Sequence, residues 1–73
     1  MSDQKIDTLD TVALLRDVPE LGLKKGQVGA VVEELDAATV MVEFVSPGGD
    51  TFALSPLPRR DLLRLAYERQ AAE

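Results

Sequence analysis

The chain has 73 residues and a formal net charge of −5, from 8 Lys and Arg against 13 Asp and Glu. It contains neither Cys nor His, which excludes disulfides, thiolate or imidazole metal sites, and catalysis that depends on either side chain. The length allows one domain with a thin core, and the negative charge disfavours binding to nucleic acid phosphates and to anionic membranes.

No apolar run approaches the roughly 20 residues that a membrane helix requires, and the first five residues are too polar for a signal peptide. We therefore expect a cytoplasmic protein. The domain is expected to span residues 9–67, between a flexible N-terminus (residues 1–8) and a flexible tail (residues 68–73).

The first predicted strand lies within Leu9–Arg16, where Val12 and Leu14 alternate with Thr or Ala. A helix is the alternative for this segment, because Leu and Ala tolerate it. The next segment, Asp17–Gly26, is rich in Pro and Gly and is predicted to be a loop. We expect this loop to fold back and bury one of its two interior leucines, Leu21 or Leu23.

The second predicted strand, Gln27–Leu35, involves two structural glycines. Gly26 permits a positive φ in the turn that precedes the strand. Gly29, inside the strand, indicates a bulge or a close backbone approach. Alternation places Val31 on the same side as Gly29, and this side is predicted to face outward.

The third predicted strand, Val40–Val45, alternates most clearly. Its core-facing residues are expected to be Val40, Val42 and Phe44, and its outward residues Met41, Glu43 and Val45. Pro47 and Gly48 then occupy the second and third positions of a predicted type II turn. A fourth strand, Thr51–Leu54, is expected to end at the two prolines that follow, Pro56 and Pro58.

Residues from Arg59 onward fit either a helix or a helical turn at Arg59–Asp61 followed by a closing strand. We prefer the turn and strand, because closure removes exposed sheet edges. The sequence as a whole therefore predicts a mainly all-β fold: a small, SH3-like antiparallel barrel of about five strands, with a short helical turn or helix near the C-terminus.

Three segments carry a resemblance to a known family: residues 9–12, residues 17–32 and Val-Glu-Phe-Val at residues 42–45. The specific part is Leu-Lys-Lys-Gly-Gln-Val-Gly-Ala-Val-Val at residues 23–32, followed by Val-Glu-Phe. Together they resemble the bacterial family catalogued as domain of unknown function 4926, over about residues 8–65. The resemblance implies an SH3-like small barrel with no catalytic residues to transfer, and a partner encoded by a neighbouring gene. The Lys-Gly-Gln-Val-Gly-Ala-Val segment is also similar, more weakly, to KOW-type modules.

Catalytic and cofactor sites are not expected. A serine nucleophile needs a base such as His, and the chain has no His; it also has no Cys that could serve as the nucleophile instead. Four acidic residues could offer oxygen ligands to a hard cation: Glu33, Glu34, Asp36 and Asp50. Their spacing matches no known cation-binding loop. With three aromatic residues in the whole chain, a groove for Pro-rich peptides is also excluded. We predict no enzyme activity, no cofactor and no bound metal.

The candidate site is instead an outward apolar face on the central strands. It is formed by Val31, Met41 and Val45, with Glu43 beside them. Either the chain's own tail covers this face, through Leu63, Ala66 or Tyr67, or another protein does, as a second copy or a basic partner. The leading hypothesis is a non-catalytic protein-interaction module, in its narrower form an antitoxin or immunity-like inhibitor. The alternative is a KOW-like nucleic-acid module with contacts at Lys24, Lys25, Arg59 and Arg60.

Overall fold

The computed structural model describes residues 6–46, 48 and 51–65. Within them, five strands form one antiparallel sheet in the order β4-β3-β2-β1-β5. The strands are β1 (Thr11–Leu14), β2 (Val28–Glu34), β3 (Thr39–Val45), β4 (Thr51–Pro58) and β5 (Leu62–Arg64). Two single-turn 3-10 helices, Pro19–Leu21 and Arg59–Asp61, lie in the connections before β2 and β5.

The prediction of a mainly β fold with five antiparallel strands is confirmed. The first segment is a strand and not the alternative helix, and the chain after Pro58 forms the preferred helical turn followed by a strand. The sheet is open, however, because β4 and β5 lie at its two ends and do not pair with each other. The expected closure into a barrel is therefore absent from the described residues.

The core lies on one side of the sheet, which we call the inner face. Its members are all apolar: Ile6, Val12, Leu14, Val18, Leu23, Val31, Val40, Val42, Phe44, Leu57 and Leu62. The loop before β2 folds back as predicted, with Leu23 buried and Leu21 packed against the same cluster. No polar side chain is buried among the described residues, so burial of apolar surface supplies the driving force for folding.

Ile6 corrects the predicted boundary of the domain. It belongs to the segment that was expected to be flexible, yet it is buried in the core. Its carbonyl oxygen accepts a hydrogen bond from the Arg59 guanidinium, whose Nη2 also donates to the carbonyl oxygen of Asp36 at 3.3 Å. The folded unit therefore begins at least three residues earlier than predicted.

Gly29 explains how the inner face accommodates its largest side chain. A Cβ at this position would lie 2.8 Å from two ring carbons of Phe44 and from the carbonyl oxygen of Glu43. The predicted close approach is therefore present, because only a residue without a side chain lets the Phe44 ring pack against β2. The expected positive φ is also found at Gly26, where it is 91°.

The predicted type II turn falls largely outside the described residues, which include Gly48 but not Gly49. Pro47, the second residue of the predicted turn, lies outside the described residues.

The outward placement of Val31 was wrong. Val31 is fully buried and pairs with Val42 of β3, which also faces the core. The register between β2 and β3 shifts after Val31, so that Glu33 and not Val32 pairs with Met41. Apolar residues occur on both sides of β2, and its alternation alone therefore does not identify the side that faces the core.

Candidate interaction surface on the outer face of the sheet

Residues that pair directly across neighbouring strands share one face of a sheet, and the registers define the side opposite the core. One row joins Leu63, Ala13 and Val28; the next joins Thr11, Ala30, Glu43 and Leu54; a third joins Glu33, Met41 and Pro56. Val45 continues the outward alternation of β3. We call these residues the outer face: Thr11, Ala13, Val28, Ala30, Glu33, Met41, Glu43, Val45, Leu54, Pro56 and Leu63.

Over the described residues the outer face is largely apolar, and several of its large side chains are exposed to solvent, whereas Ala13 is buried. Its most exposed large apolar side chains are Leu54 (57%), Val45 (53%), Val28 (49%) and Leu63 (43%). They are distributed over four of the five strands, so the apolar surface runs across the sheet from β5 to β4. A sheet with one solvated face normally alternates apolar-in with polar-out, and this sheet departs from that pattern on its outer side.

The charges within the outer face are acidic: Glu43 lies between Ala30 and Leu54, and Glu33 pairs with Met41. Three cations near the sheet form ion pairs elsewhere, Arg16 with Asp61 at 2.8 Å, Arg64 with Asp10 at 3.1 Å and Arg59 with Glu34 at 3.7 Å. The hydrogen bond from Arg16 to Asp61, and the attraction between them, raise the pKa of the guanidinium above its ordinary value.

The predicted site residues divide into two groups. Met41, Glu43 and Val45 do lie together on the outer face, as the alternation of β3 indicated. Val31 does not belong with them because it is buried on the inner face. Of the tail residues that were expected to cover the face, Leu63 is part of it, and Ala66 and Tyr67 lie outside the described residues.

Among the exposed large apolar residues of the outer face, Val28, Leu54 and Leu63 were not assigned to the site from the sequence. All three pair with outer-face residues of a neighbouring strand. Ala13 pairs with both Val28 and Leu63, and Glu43 pairs with Leu54. The alternation of Leu54 with Ala53 and Ser55 indicates that Leu54 lies on the opposite side of β4 from these two residues. It does not indicate which side faces outward, because both sides of that strand contain apolar residues. Only the register distinguishes its outer side from its inner side.

The residues considered for metal, nucleophile and nucleic-acid sites have the following arrangement in the described part of the chain. No group of three or more acidic residues there is arranged to hold a metal ion. The hydroxyl of Ser55 donates to the carbonyl oxygen of Pro56 at 3.1 Å. Arg59, one of the four residues predicted to contact nucleic acid, has its guanidinium bound to backbone carbonyls of the fold. No helix in this part of the chain is long and apolar enough to cross a membrane.

A strained turn precedes β1 and presents another exposed leucine. Leu9 is 82% exposed and has a φ of 78°, a backbone region that a non-glycine residue enters at a cost of about 1–2 kcal/mol. Asp10 N–H donates to the carbonyl oxygen of Asp7 at 3.1 Å, while Leu9 and Asp10 both bond to Val31 of β2. Leu9 thus occupies the position of a bulge that usually contains glycine.

Comparison with known proteins identifies one family. The profile of the family described as Domain of unknown function (DUF4926) matches residues 8–64, which is most of the chain. No curated protein and no solved structure matches the chain. The chain therefore belongs to the family of this domain of unknown function.

Proposed function

We propose that this member of the DUF4926 family is a non-catalytic protein-interaction module, whose outer face docks onto an apolar surface of a basic protein. The observation that carries the proposal is the half-exposed apolar surface that crosses the sheet opposite the core. Within the described residues the core cluster lies on the inner face, and on the outer face the small Ala13 is buried, so the core does not account for the large apolar side chains of the outer face. Apolar patches rimmed by charge are typical of sites of protein contact.

Charge complementarity supports a basic partner over a second copy of the chain. Each copy has a net charge of −5, and contact between two outer faces would bring Glu33 and Glu43 of both copies into one interface. Like charges facing each other across an interface are costly. A partner with Lys or Arg around an apolar centre would instead complement the negative charge of the chain and bury the apolar side chains.

A narrower form of the proposal is an antitoxin or immunity-like inhibitor of a protein encoded by a neighbouring gene. A small acidic domain that covers a basic site excludes the substrate of that site both sterically and by its charge. Co-expression with the neighbouring gene product tests this form. The expected result is that cells survive with the wild-type chain and not with Val45→Glu, and a lack of protection by the wild-type chain would rule it out.

Site-specific photo-crosslinking in cells tests the proposal itself. A photoreactive phenylalanine analogue is placed at Val45 or Leu63 on the outer face, and at Ala37, an exposed residue in the turn between β2 and β3, as the control. The expected result is an adduct with one basic protein from both outer-face positions and none from Ala37. Val28→Glu should remove the adduct at Val45.

Three outcomes would contradict the proposal. The same adducts from Ala37 would show that contact is not specific to the outer face. An adduct between two copies of the chain would replace the basic partner with self-association. Identification of an acidic protein would contradict the argument from charge.

A further inference from the structure

The two edges of the open sheet differ in length. At one edge, β5 has three residues and pairs with β1. At the other edge, β4 has eight residues and pairs with β3 along its length. No described strand pairs with the far side of β4. A long edge strand with unpaired backbone groups is a template for pairing with another chain, and proteins usually protect such edges.

Proline fixes which residues of β4 direct their backbone groups to the free edge. Pro56 pairs with Met41 of β3 but has no N–H to donate to it, so this pair is one of the non-hydrogen-bonded pairs of the ladder. Such pairs recur at every second residue. Leu54, two residues earlier and opposite Glu43, therefore points its N–H and its carbonyl oxygen away from β3 and toward the free edge.

The pairing on the other side of β3 leads to the same orientation. Val31 N–H donates to the carbonyl oxygen of Asp10 at 2.9 Å, so Val31 directs its backbone groups toward β1 and not toward Val42. Val42 consequently directs its own groups toward Ser55 of β4, its partner on that side. Because Ser55 is then bonded to β3, its neighbour Leu54 faces the edge.

The clearest protection of this edge lies in its C-terminal half. Pro56 and Pro58 lack the N–H groups that an incoming strand would need, and the Pro56 carbonyl oxygen already accepts the Ser55 hydroxyl at 3.1 Å. Leu54, in the other half, keeps its N–H and is 57% exposed. Its neighbour Phe52 lies where the register between β3 and β4 shifts, an irregularity that also limits strand pairing at an edge. The edge is thus closed from Pro56 onward and open at Leu54.

We propose that the β4 edge at Leu54 binds an extended segment of the basic partner, which adds to the sheet as a sixth strand. Strand addition derives affinity from backbone hydrogen bonds and specificity from alternate side chains. Here the side chains on the outer side of the added strand would lie next to Leu54, with Glu43 one strand further in. The net charge of −5 favours Lys or Arg on that side of the added strand. The prolines limit the pairing to a short segment centred on Leu54.

The inference rests on the proposed function for its occupant, and the experiment uses defined probes. The probe is a capped synthetic peptide of alternating Lys and Val, and the matched peptide carries N-methyl groups on alternate amides, which removes the donors on one edge. Binding to the isotope-labelled full chain is followed by NMR, through the shift and the hydrogen exchange of the Leu54 amide. We expect the unmethylated peptide to shift this amide and slow its exchange, and the methylated peptide to do neither.

Two variants of Leu54 test whether its edge-facing N–H binds the peptide. Leu54→Pro removes the edge-facing N–H at a position where an edge strand tolerates proline, whereas Leu54→Val keeps both the N–H and an apolar side chain. Leu54→Pro should weaken binding of the Lys-Val peptide about tenfold relative to Leu54→Val, the effect of losing one backbone hydrogen bond. If Leu54→Pro does not fold, the methylated peptide decides the question without changing the protein.

The outcomes separate this inference from the proposed function. If the peptide causes no shift at Leu54 at millimolar concentration, or if methylation has no effect, the strand-pairing site is wrong, while crosslinking at Val45 still supports docking on the outer face. If strand pairing is observed but Val45→Glu and Val28→Glu leave crosslinking unchanged, the proposed function fails and the edge site remains. A concentration-dependent dimer that Leu54→Pro abolishes would identify the occupant as a second copy and overturn the basic partner.

Discussion

The two faces of the sheet are both rich in Val and Leu, yet they differ in their surroundings. The inner face is covered by the folded-back loop before β2 and by the segment at Ile6, and its apolar residues are almost completely buried. The outer face leaves Val28, Val45, Leu54 and Leu63 about half exposed and includes two glutamates. The apolar residues of the inner face are therefore required for the fold, whereas the fold does not explain the exposed apolar residues of the outer face.

The largest expected effect comes from placing the same charge on each face. Val31→Glu buries a carboxylate without a partner, which costs several kcal/mol, about as much as the roughly 3–5 kcal/mol available to a domain of this length. Circular dichroism should therefore show an unfolded chain. Val45→Glu, on the outer face, should change the free energy of unfolding by less than about 0.5 kcal/mol. Equal destabilisation by both variants would mean that the outer face belongs to the core.

Gly29→Ala tests how closely the inner face is packed. The added methyl group would meet the Phe44 ring and the Glu43 carbonyl oxygen at 2.8 Å, and overpacking of this kind costs about 1–3 kcal/mol. Gly48→Ala is the matched control, because a Cβ there has no neighbour within 4 Å. Urea unfolding should show a lower midpoint for the first variant only. An unchanged midpoint for Gly29→Ala would contradict the close approach of β2 and Phe44.

Arg59→Met tests the connections at one end of the inner face. The variant removes the hydrogen bonds to the carbonyl oxygens of Ile6 and Asp36, and the loss of partners for partly buried polar groups costs about 1–3 kcal/mol. The expected result is a lower unfolding midpoint together with faster hydrogen exchange at the Ile6–Asp10 segment. Arg60→Met, at the exposed neighbouring residue, should have no measurable effect. Slow exchange that persists in Arg59→Met would show that other contacts hold the segment.

The smallest expected effect is a stabilisation. Leu9→Gly relieves the strain of a φ of 78° and should raise the free energy of unfolding by about 1 kcal/mol. Leu9→Ala keeps both the strain and the exposed position, and its stability should stay close to that of the wild type. If Leu9→Gly is less stable than Leu9→Ala, the side chain of Leu9 contributes to folding and the turn is not a strained element.

The sequence determined the number of strands, their approximate positions and the outward side of β3. Strict alternation over Val40–Val45 places Val42 and Phe44 inward and leaves Met41, Glu43 and Val45 outward, since a strand turns each successive side chain to the opposite face. The absence of Cys and His likewise excluded whole classes of chemistry. These inferences depend only on local geometry and on the residue types present.

The tertiary structure decided which side of β2 is buried, how the strands are ordered and which edges stay open. In β2, Val28 and Val31 lie on opposite sides, and only the register with Val42 and the packing of Phe44 on Gly29 show that Val31 is the buried one. Leu54 and Leu63 joined the outer face for the same reason, through their partners on neighbouring strands. Alternation relates residues within one strand, whereas a face or an edge is a property of several strands together.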